Sequence, residues 1–174
     1  MSSDASEPAL ALATRRAAFR RMVLSHFDFG ETRDFLDRLS PAGSSVEATA
    51  DPVLRRALMT AMVVSYCRPF AKSDADGETA RQLPDDLLEG LEPELLQLHD
   101  RVRQLRNEEF AHTDPAPAGL RVTWRDAFVF PMPVSNVTRE GLTESELRKM
   151  RTLLTQVSTR LFDRYAALGT ELSE

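Results

Sequence analysis

The sequence predicts an all-α fold: a four-to-five-helix up-down bundle with a small β-hairpin inserted before the last helix. Three observations carry that expectation. Apolar residues recur at three- and four-residue steps in several separate stretches, the spacing that lines one face of a helix. Helix-start chemistry stands at Asp51-Pro52 and again at Thr143 with Glu146. Only between Pro115 and Pro133 does the apolar period fall to two.

The first helix runs from about Pro8 to Phe27, with Phe19, Met22, Val23 and Phe27 on its apolar side and Arg15, Arg16, Arg20 and Arg21 opposite. His26, beside Phe27 and Phe29, reads as a core or boundary histidine. Gly30 interrupts the pattern, and "ETRDFLDRL" follows as a short second piece carrying Phe35, Leu36 and Leu39 on one side. Ser40 to Ser45 is a loop.

Asp51 supplies an N-cap and Pro52 the first helical residue. The helix they open becomes apolar on nearly all sides from Ala57 to Cys67, which places it at the centre of the core. Pro69 ends it, because the residue before a proline is pushed away from helical dihedrals. Residues 71–83 form a polar loop. The third helix extends from about Pro84 to Ala111, with a break near Gly90, and Leu91, Leu95, Leu98, Val102 and Leu105 make its seam. Leu120, Val122 and Trp124 then alternate with Arg121, Thr123 and Arg125, and "AFVF" from Ala127 completes a hairpin. Thr143 and Glu146 form a capping box for the last helix, whose seam is Leu147, Met150, Leu154, Val157, Leu161, Tyr165 and Leu168.

The 174 residues suffice for one domain with a real core, and residues 1–7 read as a flexible N-terminus. The longest mainly apolar run, Ala57 to Cys67, is too short to span a bilayer, and the acidic N-terminus lacks the basic region of a secretory signal. The expectation is a cytoplasmic protein that engages no membrane. Cys67, the single cysteine, cannot form an internal disulfide and reads as a small buried hydrophobe. A net charge of −5 argues against a broad nucleic-acid-binding surface and leaves room for a local site. Twenty of the 22 basic residues are arginines. Genomic base composition accounts for such a bias; so does phosphate binding by a planar, two-pronged donor.

No His-Glu-x-x-His spacing, cysteine cluster, glycine-rich phosphate loop or serine elbow is present, so no metal or cofactor is expected. His99 lies beside the third-helix seam and reads as a helix-surface residue sharing a face with Arg103 and Arg106. The stretch "LRNEEFAHTDP" closes that helix with Arg106, Asn107 and His112. On a regular helix Arg106 and His112 stand about 120° apart. They meet if the helix loosens before Pro115 or if two copies face each other. A plain helix end, where a protonated imidazole suits the helix dipole, is the other reading.

"R-N-E-E-F-A-H" resembles the motif of the HEPN superfamily: an arginine, four to six residues, then a histidine, with Asn, Asp or His favoured directly after the arginine. The order of "SYCRPF", the polar loop, the long third helix and the final helix is similar to small bacterial HEPN proteins of the abortive-infection type, over roughly residues 10–170. The resemblance implies one HEPN-like domain over residues 1–174 and a metal-independent endoribonuclease, a toxin or anti-phage effector whose partners are RNA and an antitoxin protein. It also implies a homodimer whose two motifs meet in a cleft. His112 would then serve as acid and base, Arg106 would hold the phosphate, and Asn107 would orient imidazole or substrate. Arg68, His99 and Arg103 are the expected substrate-binding residues. The alternative is a non-catalytic HEPN dimer that binds a partner or a nucleotide. Glu108 and Glu109 place negative charge inside the motif.

Overall fold

The computed structural model describes residues 6–40, 51–72, 82–107, 121–125, 128–132 and 141–173. Within them lie the helices α1 (Ser6–Leu39), α2 (Pro52–Cys67), α3 (Pro93–Leu105) and α4 (Glu144–Glu171). α1 packs against α2 and α4, and α3 packs against the same two, so the four enclose one shared core. Two strands, β1 (Arg121–Arg125) and β2 (Phe128–Met132), pair antiparallel with Thr123 opposite Phe130. No described helix is long and apolar enough to cross a membrane.

α1 departs from expectation, being one helix of 34 residues that runs straight through Gly30. Besides Arg21, its described buried positions are Met22, Ser25, Phe29, Thr32, Leu36 and Leu39, which step by threes and fours across the glycine without a break. A glycine inside a helix costs about 0.5–1 kcal/mol, whereas each large apolar side chain buried beyond it contributes about 1.5–3 kcal/mol. Burial wins. The true seam also turns three residues differently from the sequence expectation. Phe27 sits about 140° around the helix from Met22 and is 67% exposed. His26 is exposed as well, its ring set edge-on to Tyr165 of α4 at 5.7 Å. Arg21, expected on the outer face, is buried, and its Nη2 donates to the Arg68 carbonyl at 2.5 Å.

α2 follows its sequence closely. The Asp51 carboxylate accepts from the Val53 and Leu54 amides at 2.8 and 3.4 Å, satisfying two of the orphan donors that open any helix. Met59, Met62, Val63, Tyr66 and Cys67 are buried. Pro69 stops the helix, and the chain tightens into a 3-10 turn over Arg68–Phe70. The Leu83 amide donates to the Pro69 carbonyl at 2.8 Å, so the chain comes back to this corner.

A second 3-10 turn, Asp85–Leu88, precedes Gly90, whose φ of +70° makes the expected break before α3. Leu91, Leu95, Leu98, Val102 and Leu105 are all buried. Past Leu105 the helix widens into a π-type turn at Arg106 and Asn107. The expected continuation to Ala111, the Pro41–Ser45 part of the first loop and most of the polar loop (73–81) lie outside the described residues, as do residues 1–5. α4 opens on the full capping box: Thr143 N donates to Glu146 Oε2 at 2.8 Å, and Glu146 N donates back to Thr143 Oγ1 at 3.2 Å. Its seam from Leu147 to Leu161 is buried, with Tyr165 and Leu168 packed at the margin.

Arginines finish several of these helical segments. Arg151 of α4 donates to the Leu36 and Ser40 carbonyls, and Arg55 of α2 donates to that of Leu39, all at the end of α1. Arg160 donates to the Leu87 and Glu89 carbonyls at 3.1 and 2.6 Å. With Arg21 on Arg68, four guanidinium groups donate to carbonyls at helix ends, where backbone partners run short.

Candidate functional site

The end of α3 and the corner after α2 come together because α2 and α3 share the core through Tyr66, Cys67, Val102 and Leu105. Cys67 Sγ lies 3.7 Å from the Val102 carbonyl, which joins the two helices at that level. Directly above this contact opens a cavity of about 290 Å3, lined by Arg103, Arg106 and Asn107 from α3 and its closing turn, Cys67, Phe70, Ala71 and Lys72 from the corner, and Gln82. A neighbouring cavity of about 420 Å3 shares Ala71, Lys72 and Arg106 with it and adds Arg21, Leu24, Phe27, Asp28, Val64 and Arg68. An acidic chain thus gathers five cationic side chains around one two-part bowl.

Their charges are not equally available. Arg68 donates to Asp28 at 3.3 Å and to Glu31 at 3.0 Å. Burial raises the Asp28 carboxyl above its usual range, against the pull of Arg68 and Arg21. Burial likewise lowers Arg21, while Asp28 raises it; a guanidinium stays charged throughout. Among the described residues no carboxylate stands at ion-pair distance from Lys72, Arg103 or Arg106. Arg106 Nη1 donates instead to Asn107 Oδ1 at 3.0 Å, which fixes the relative placement of those neighbours. Lys72, Arg103 and Arg106 are therefore the cations with charge to offer a phosphate.

Beneath the bowl the floor is aromatic. Phe70 meets the His99 ring edge-to-face at 4.7 Å and the Tyr66 ring at 5.5 Å, and Phe29 closes the group. His99 is only 2% exposed, and its Nδ1 lies 2.8 Å from the Tyr66 hydroxyl. This corrects the reading of His99 as a surface residue of α3. It sits about 40° around the helix from Leu95, inside the apolar arc, and it supports Phe70 from below. Burial holds the Tyr66 phenol well above its usual 10, so the hydroxyl keeps its proton at neutral pH. Cys67 is pushed up to about 12 by burial, which outweighs Arg106 and Arg103 pulling the other way. A thiol held there is unreactive at neutral pH.

The structure therefore brings Arg103, Arg106 and Asn107 together in one cavity and sets Arg68 in the adjoining one. It separates His99 from both. His112 lies outside the described residues. Lys72, Phe70 and Gln82 were not anticipated; the one available hint was that Lys72, one of only two lysines, follows closely on the helix-ending Pro69. Among the described residues no three His, Cys, Asp or Glu side chains assemble as metal ligands. What the arrangement can do is hold an anion with two or three cationic side chains and an amide, over a rigid aromatic floor.

The class that fold and site define is a helical-bundle protein with a local cationic bowl. Comparison with protein-family models, with curated proteins and with solved structures finds no match for this chain.

Proposed function

We propose that this chain is a metal-independent endoribonuclease of the HEPN type, a cytoplasmic toxin or anti-phage effector that works as a homodimer and is restrained by an antitoxin protein. The proposal takes the helices as an up-down bundle, with β1 and β2 inserted before α4. One observation carries it: Arg106 and Asn107, the first residues of the motif, stand in a cavity with Lys72 and Arg103, unpaired by any described carboxylate. A phosphodiester there meets fixed positive charge as its own negative charge grows during reaction. His112 takes the proton of the 2′-hydroxyl; the 2′-oxygen bonds to phosphorus as the bond to the 5′-oxygen breaks. The second His112, across the two-fold axis, returns a proton to that leaving oxygen. The products are a 2′,3′-cyclic phosphate and a 5′-hydroxyl.

The test is cleavage of total RNA and tRNA in EDTA, comparing wild type with Arg106→Ala and His112→Ala. Cutting by wild type only, with cyclic phosphate ends, is expected. Folded dimer that cuts nothing overturns the nuclease. A second reading, the non-catalytic nucleotide-binding dimer, is favoured by the make-up of the bowl itself. The cavity that holds Arg106 is lined by phosphate ligands but by no described histidine or carboxylate, and its one thiol, Cys67, lies at about 12.

A further inference from the structure

The larger half of the bowl contains features that phosphate binding does not require. On its α1 side stand Leu24 and Phe27, three residues apart on one helix face and 51% and 67% exposed. Val64 of α2 lines the same cavity. Single exposed apolar residues are ordinary on a protein surface. These two instead line a cavity that Lys72 and Arg106 also line. Its volume of about 420 Å3 falls in the range of roughly 300–1,000 Å3 typical of small-ligand sites. Arg68 is committed to Asp28 and Glu31, and Arg21 is committed to the Arg68 carbonyl. The cations left at the rim are Lys72 and Arg106, the same two that line the smaller cavity. An apolar, aromatic-edged compartment joined to a phosphate seat through two shared cations matches the chemistry of a nucleotide: a flat π-face on one side, a charged phosphate on the other.

We propose that the Leu24–Phe27–Val64 compartment is a base-binding subsite, in which a nucleobase stacks against Phe27 while its phosphate lies between Lys72 and Arg106. The proposal rests on the reading of the Arg106 bowl as a phosphate seat for RNA, and it names Phe27 as the residue that grips the neighbouring base. Cation contacts supply affinity for any phosphate. Stacking on Phe27 supplies preference for a phosphate that carries a base.

The test uses the full chain with three probes titrated by calorimetry: AMP, ribose 5-phosphate and inorganic phosphate. None of them contains a phosphodiester, so binding is read apart from cleavage. AMP should bind several-fold more tightly than ribose 5-phosphate. Phe27→Ala should weaken AMP about ten-fold, the scale of losing one base–aromatic stack, and leave ribose 5-phosphate unchanged. Phe27→Trp should retain AMP binding, and Lys72→Ala should weaken all three probes. Phe27 is exposed, so its variants are expected to fold, as circular dichroism would verify. Equal binding of AMP and ribose 5-phosphate by wild type overturns the proposal, and so does a folded Phe27→Ala protein that binds AMP as wild type does. RNA cleavage with no AMP preference refutes this subsite alone. An AMP preference in a protein that cuts no RNA refutes the nuclease alone.

Discussion

Replacing Gly30 with alanine should stabilise this protein, against the usual effect of a point substitution. Gly30 lies nine residues before the end of a continuous 34-residue helix. A Cβ built there has nothing within 4 Å, and the backbone is not in the left-handed region, which among the described glycines only Gly90 occupies. The alanine therefore meets no steric penalty and recovers the full difference in helix cost, about 0.5–1 kcal/mol. For a chain of this length that is a rise of about 1–4 °C in the thermal midpoint. Urea titration followed by circular dichroism measures it: the midpoint should move up at unchanged slope, since the buried surface is the same. Gly90→Ala is the opposing control. At φ +70° an added Cβ costs about 1–2 kcal/mol, so that midpoint should fall. A Gly30→Ala protein that is less stable than wild type would refute the continuous helix and restore a break at Gly30.

Two further outcomes are expected. Tyr66→Phe removes a hydroxyl 2.8 Å from the buried His99 Nδ1 and should destabilise the fold by about 1–3 kcal/mol; a loss below about 0.5 kcal/mol in urea titration would mean that this hydrogen bond is not made. Asp86 is hydrogen-bonded by Arg164, which holds its carboxyl below the usual 3.8. Its folded pKa is depressed, so the stability it contributes is full above about 3.8 and is lost as pH falls through the folded value. The pair is 40% exposed on both sides, which limits the effect to within about 1 kcal/mol. Asp86→Asn should therefore lie slightly below wild type at pH 7, with the gap closing as pH falls from 3.8 through the lower folded value, and a gap that stays constant over that fall contradicts the ion pair as its source.

Elements governed by nearby residues were legible in the sequence. The Asp51 and Thr143–Glu146 caps act within four residues of the backbone groups they satisfy, and Pro69 acts through the N–H it lacks, so the local string contains the whole effect. The α4 seam was legible because its buried residues are all apolar, and the α3 seam was legible apart from the buried His99. α1 was not. Its seam includes Ser25 and Thr32, which read as polar, while the conspicuous Phe27 points outward. Only the packing of α1 against α2 and α4 decides which of two competing stripes is buried. The site was half legible for the same reason. Arg106 and Asn107 could be singled out by their motif. The burial of His99 depends on Tyr66, 33 positions away, and Lys72 joins the bowl only through the turn at Pro69.

The arginines that reach helix-terminal carbonyls bear on the arginine bias itself. A lysine in place of Arg151 or Arg160 would preserve the charge, but its ammonium is a compact point donor and not a fork spread over several nitrogens. Arg151 serves Leu36 and Ser40 together, and Arg160 serves Leu87 and Glu89. The punctuation of this chain is thus written at a distance: the full stop of one helix is spelled on the flank of another. Whatever biased the codons toward arginine, the fold has put that surplus to grammatical use, and the end of α1 is punctuated from both α2 and α4.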